Sequence, residues 1–188
     1  MNVIGITGKP GSGKDVLAEW LCEHREMEQL SFGDRVREYA EKRGIEPSRD
    51  NLQDAADQLI SEKGPDFLAD QMARRIQEEH KTHVVISGVR TPDDAQTLRR
   101  YFHEAFILVA VQTDSAQERF RRIRQRDEAR DTQSYEQFIW TDQKEEQLFH
   151  VRETEKMADV TIPNNDSLLK FKFLIRDRVL PLMEAPAS

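Results

Sequence analysis

The sequence has little of several things that would narrow its class. It has a single cysteine, Cys22, so no internal disulfide can form, and the neighbours Leu17, Trp20 and Leu21 at helical spacing give that thiol a packing role. No run of about 18 apolar residues exists, which excludes a spanning helix of ordinary length. Val3-Ile4-Gly5-Ile6 follows the first two residues directly, without a basic region and a cleavable apolar segment, so no export signal is read and a cytoplasmic protein is expected. The five histidines, His24, His80, His83, His103 and His150, show no ligand spacing with Cys or acids, and a dedicated zinc site is not expected. Internal repeats and low-complexity linkers are missing as well. A net charge of −7 argues against a general nucleic-acid binder, whose affinity would rest on phosphate neutralisation.

What is there is charge, at 34% of 188 residues, and a first stretch that organises the rest. Gly8-Lys9-Pro10-Gly11-Ser12-Gly13-Lys14-Asp15 follows an apolar strand pattern, Val3 to Thr7, and precedes a helical one, Val16 to Leu21. Strand, glycine-rich turn and helix in that order form the context of a phosphate-binding P-loop. Glycines 8, 11 and 13 admit positive φ, so successive N–H groups can face one concavity, and Lys14 adds a mobile positive charge for phosphates. Asp15 stands where a Ser or Thr usually binds Mg²⁺.

The apolar runs Gln29 to Phe32, His83 to Ser87, Phe106 to Val111 and Ala158 to Ile162 read as further strands, separated by helical patterns, which makes the chain a small α/β protein of one domain. Asp34 and Arg37 fall one turn apart where a helix follows the second strand; there Asp34 reads either as a helix cap or as a ligand-facing acid. Helices over 49–63 and 66–79 are either plain core or an arm closing over a second substrate. Arg90 lies just past the third strand, where it suits a phosphate clamp, and Ser87 and Gly88 occupy the place at which many P-loop enzymes carry a metal-binding acid. Asp93 and Asp94 read as first-turn charges of the next helix. Arg119, Arg122 and Arg126 share one face of a helix by their spacing, and like charges so arranged gain from a docked anion. A long helix is expected from Ser134 towards Val151, and a last one from Leu168, stopping before Pro181.

With these stretches placed, the chain resembles the nucleoside-monophosphate-kinase branch of P-loop proteins, in particular the dephospho-CoA-kinase-like and phage-type deoxynucleoside monophosphate kinases. Residues 1 to about 180 carry the resemblance: the P-loop, Val84 to Arg90 with Thr91-Pro92-Asp93-Asp94, Arg119 to Asp127, and Ala158-Asp159-Val160-Thr161-Ile162 followed by Asn164 and Ser167. It implies a three-layer P-loop fold, a five-stranded parallel sheet flanked by helices, adenylate-kinase-like with an acceptor arm (about 34–80) and a lid (about 119–150), in a domain spanning 1–183 with a frayed tail at 184–188. It also implies ATP and Mg²⁺ as cofactors and a small-molecule nucleotide acceptor. On this resemblance Gly8, Gly11, Ser12, Gly13 and Lys14 hold the phosphates, Asp15 holds the metal, and Asn164 and Asn165 lie beside the base. Lys14, Arg122 and Arg126 act on the transferring group, and Arg37 and Arg90 grip the acceptor. Asp34 serves as base towards a hydroxyl acceptor or orients a sugar. A nucleoside or deoxynucleoside monophosphate kinase is the leading expectation. A dephospho-CoA-like kinase and a nucleotide-binding regulator without kinase activity are the alternatives.

Overall fold

The computed structural model describes residues 1–126 and 134–184; the side chain of Arg126, the stretch 127–133 and the tail 185–188 lie outside the described residues. Five strands, β1 (Asn2–Thr7), β2 (Glu28–Ser31), β3 (His83–Ser87), β4 (Phe106–Gln112) and β5 (Val160–Pro163), form one sheet in the order β2-β3-β1-β4-β5. All pairings are parallel, and Ile4 of the central β1 lies opposite Val85 on one side and Ile107 on the other. Parallel strands need helical crossovers, which cover both faces and explain why these strands are continuous apolar runs instead of alternating ones.

One face packs Val84, Ile86 and Leu108 against α4 (Phe67–Glu78) and α5 (Pro92–Phe102) through Met72, Ile76 and Leu98. The other packs Ile6, Val85 and Val109 against α1 (Lys14–Arg25) and α9 (Leu168–Arg178) through Leu17, Leu21, Phe171 and Ile175. Leu17 and Leu21 have no exposed surface, and each such side chain contributes about 1.5–3 kcal/mol of apolar burial. A third cluster lies above the sheet. There α2 (Phe32–Lys42) and α3 (Arg49–Lys63) bury Val36, Ala40, Ala55, Ala56 and Leu59 against Phe149 and Val151, at the junction of α7 (Tyr135–Phe149) and α8 (Val151–Lys156). The arm helices are therefore roofed by the chain that returns from α6 (Ala116–Arg126).

Three boundaries differ from the sequence reading. His150 takes a left-handed conformation at φ 53°, which ends α7 at Phe149, close to the expected end, and the short helix α8, which the sequence reading lacks, follows it. The last helix ends at Arg178, and α10 (Leu180–Glu184) follows with Pro181 in its first turn, where a missing N–H costs nothing. Glu184, placed in the frayed tail by sequence, ends α10 and accepts a hydrogen bond from Arg25 at 2.6 Å. Among the described residues no helix is long and apolar enough to cross a membrane.

Candidate active site

The loop after β1 has the conformation its glycines suggest, with φ of 145°, 77° and 101° at Gly8, Gly11 and Gly13. At Gly11 and Gly13 the requirement is steric as well. A Cβ on Gly11 would fall 2.4 Å from the backbone carbonyl of Arg119, and one on Gly13 would fall 2.3 Å from Asn164 Nδ2. The backbone N–H groups of Gly11, Gly13 and Lys14 reach no acceptor among the described residues. They stand at the positive end of α1, and such a set of free donors is what a polyphosphate satisfies.

The loop is braced from β4 and β5. Asn164 Nδ2 donates to the Ser12 carbonyl at 2.8 Å, and Thr113 Oγ1 donates to the same oxygen at 3.2 Å. Asn164 is thus a buried strut behind the loop, and Asn165 is tied to Asp114 by its amide N–H and by the Asp114 backbone N–H. Both residues were expected beside a base, and their side chains are committed to these contacts.

In front of the loop opens a cleft of about 220 Å³ lined by Lys14, Asp15, Arg37, Arg49, Arg90 and Glu145, among others. Burial lowers the pKa of Lys14, while Asp15 and Glu145 oppose that shift and Arg90 and Arg49 reinforce it. Arg37 bonds Asp34 one turn before it, at the cleft mouth, where the Asp34 side chain keeps 61% of its exposure. The α2 cap is Ser31, whose Oγ accepts from Gly33 N at 3.1 Å, so the cap role considered for Asp34 is taken by another residue. Arg90 is anchored by its backbone: its carbonyl accepts from Thr154 Oγ1 at 2.7 Å, its guanidinium lies over the Phe149 ring, and its Nε is 3.4 Å from Glu145 Oε1. At the end of β3, Ser87 Oγ takes a hydrogen bond from Gln29 and donates to the Leu30 carbonyl. Asp94 faces away from any metal role: it completes a capping box with Thr91, and burial pushes its pKa up to about 6 against the hydrogen bonds from Thr91 and Arg90.

The arginine face of α6 is not uniform. Arg119, expected with the anion-docking set, is buried, forks onto both Asp142 oxygens at 2.6 and 2.8 Å and donates to the Pro10 carbonyl at 3.1 Å. Arg122 spans Glu118, Thr113 Oγ1 and the Asn164 carbonyl. Arg126 ends α6, and its side chain lies outside the described residues.

Sequence reasoning placed the helix α7 but not the polar residues on its buried face. Its inward stripe runs Phe138, Thr141, Asp142, Glu145 and Phe149, so three polar side chains occupy the buried face of a helix. Asp142 receives Arg119 and lies 3.4 Å from Lys9 Nζ. Burial would raise its pKa, but Arg119 and Lys9 outweigh burial and hold the carboxyl below its ordinary value. Glu145 accepts from Gln53 Nε2 of α3 at 3.3 Å. The available signal was the 4-3-4 spacing Phe138, Asp142, Glu145, Phe149, with Thr141 three residues after Phe138, which puts these polar residues on the apolar face.

The loop fits ATP by its free N–H groups and by Lys14. Magnesium fits the same place: Mg²⁺ commonly takes one or two carboxylates together with phosphate oxygens and waters, and Asp15, next to Lys14, is one of the carboxylates lining the cleft with Asp34 and Glu145. Among the described residues there is no set of three or more acids, histidines or cysteines that could hold a metal unaided.

Sheet order, loop and helices together define an α/β protein of P-loop kinase-like fold, and residues 4–150 match the family described as an AAA domain. Solved structures agree at the level of fold: a shikimate kinase from Bacteroides thetaiotaomicron has a TM-score of 0.60 at 16% identity over 98% of this chain and 99% of that one. A gluconokinase from Sinorhizobium meliloti has a TM-score of 0.61 at 16% identity, over 97% and 94%. The chain belongs to the UPF0200 family. It is 35% identical over 173 residues to a UPF0200 protein of Pyrococcus abyssi, covering 90% of this chain and 91% of that protein. With a UPF0200 protein of Thermococcus kodakarensis it shares 34% identity over 180 residues, 94% and 96% of the two chains.

Proposed function

We propose that this protein is an ATP-dependent phosphotransferase whose acceptor is a phosphate-bearing nucleotide, of the nucleoside monophosphate or dephospho-CoA type. The observation that carries the reading is the cleft: Lys14 comes to it from the phosphate loop, and Arg37 and Arg90 come from the opposite elements, α2 and the end of β3. Two cationic sides meeting at one lysine suit two anionic ligands set end to end, and catalysis of phosphoryl transfer is mostly such positioning and charge stabilisation. Asp15 would share Mg²⁺ with the ATP phosphates. Arg122, beside the Asn164 carbonyl, would lie against the nucleotide, and α7 over the cleft would exclude water.

The test is ADP formation from ATP and Mg²⁺ across a panel of nucleoside and deoxynucleoside monophosphates and dephospho-CoA, with and without acceptor. Acceptor-dependent ADP well above the solvent background is expected. If ATP binds and no acceptor raises ADP, the protein is a nucleotide-binding regulator and the phosphotransferase reading falls.

A further inference from the structure

Glu145 has no task in the reading above, yet it is buried to within a few per cent beside the lysine on which that reading turns. Among the described residues its side-chain hydrogen-bond and ion-pair contacts are two, both long: Gln53 Nε2 at 3.3 Å on one oxygen and Arg90 Nε at 3.4 Å on the other. A carboxylate offers about four acceptor directions, and a buried one is normally saturated by donors. The partner it does have is itself incomplete. Gln53 is 2% exposed, lines the same cleft, and its Oε1 has no hydrogen-bond partner among the described residues. Two under-used acceptors, one from the arm helix α3 and one from α7, therefore meet in the cleft near Lys14.

That arrangement discriminates between acceptor chemistries. A phosphate oxygen arriving here to attack the γ-phosphate would bring negative charge against the Glu145 carboxylate. A hydroxyl would instead donate its hydrogen to the carboxylate and gain a second contact at Gln53 Oε1. We propose that the acceptor is phosphorylated on a carbon-bound hydroxyl that lies against Glu145 and Gln53, with Glu145 as general base and the acceptor's own phosphate held at Arg37. The hydroxyl proton passes to the Glu145 carboxylate as the hydroxyl oxygen bonds to the γ-phosphorus. The bond from that phosphorus to the β,γ-bridging oxygen breaks, its electrons leave with ADP, and the product is a phosphate monoester. Arg90 acts as a positioning residue that aims the carboxylate. This rests on the phosphotransferase reading and narrows its acceptor to hydroxyl chemistry. It also moves the base from Asp34, which is open to solvent and paired with Arg37, to the buried acid of α7.

The full-length protein is incubated with ATP, Mg²⁺ and the same acceptor panel, and products are read by phosphorus NMR, because a nucleotide offers both a phosphate and hydroxyls and the spectrum tells which was used. A new monoester is expected. A nucleoside diphosphate would overturn this inference and leave the phosphotransferase reading standing, whereas no product from any acceptor would remove both. Glu145→Gln should lower kcat by about 100-fold or more, the range a positioned base supplies, with ATP affinity, circular dichroism and urea midpoint unchanged. Asp34→Asn should lower kcat by less than about 10-fold, well short of the loss from removing a base. Loss confined to Asp34→Asn, or a Glu145→Gln protein whose ATP affinity no longer depends on Mg²⁺, would refute the assignment, the latter by moving Glu145 to the metal. Glu145→Asp, which keeps the charge one carbon shorter, should retain part of the activity.

Discussion

The two walls of the cleft are built in opposite ways. The loop after β1 is eight consecutive residues whose outward donors are chiefly backbone N–H groups, so glycine placement and a following helix suffice to make it. Helix α7, which gives Glu145 to the cleft, works through side chains, Thr141, Asp142 and Glu145, whose partners Asp50, Arg119, Lys9, Gln53 and Arg90 come from elsewhere in the chain. A backbone site announces itself locally. A side-chain site of this kind is a meeting of distant segments, and its polar residues look misplaced until the meeting is known. The two walls are also joined, because Arg119 and Lys9 tie Asp142 to the loop itself.

That joint is where the comparison can be broken most severely. Asp142→Ala leaves Arg119 buried without its partner, and removing one member of a buried pair costs about 3–5 kcal/mol. Urea unfolding should show that loss, and replacing both residues by Met and Leu should recover most of it. A loss near zero in the single variant would mean the walls are independent.

The pH dependence of stability should come in part from the β3 side of the cleft. The Asp94 carboxyl has its pKa raised from 3.8 to about 6 by burial. The native state therefore holds its proton more tightly than the unfolded chain. The associated stability is fully present below the unfolded value and is lost as pH rises through about 6, roughly 3 kcal/mol in all. Asp94→Asn should flatten that segment of a plot of Tm against pH, and an unchanged slope would assign it to other groups.

On the loop wall, Gly11→Ala imposes a left-handed φ on a Cβ that also meets the Arg119 carbonyl. A cost of about 1–3 kcal/mol is expected, together with a larger fractional loss of ATP affinity by titration calorimetry, since the N–H groups around Gly11 turn with it. The smallest effect belongs to Arg121, exposed on the same helix as Arg119 and paired with Glu118 at 2.7 Å. Arg121→Ala should change the urea midpoint by less than about 0.5 kcal/mol equivalent, and a larger change would deny that burial separates the two arginines.

Much of the fold was legible because it is written in local terms: buried strands as apolar runs and amphipathic helical patterns between them. The short helix α8 beyond His150 and the helix α10 running through Pro181 were not, since contacts with the arm and the sheet decide them. In the site, Lys14, Asp15, Arg37 and Arg90 were readable from their places at strand and helix ends, and all four line one cleft. Arg119 and Arg122 were not separable, for three residues on a helix differ in partner only when a second helix arrives. Asn164 and Asn165 show the same limit, one bracing Ser12 and the other Asp114.

By itself the sequence determined the α/β class, the phosphate loop and its helix, and the strand ends where charge would gather, because each depends on contacts between neighbours in the chain. Only the tertiary structure decided that Asp142 belongs to the loop and Glu145 to the cleft. A buried carboxylate is made tolerable by donors from other elements, and α7 meets those donors only when the chain returns across the sheet.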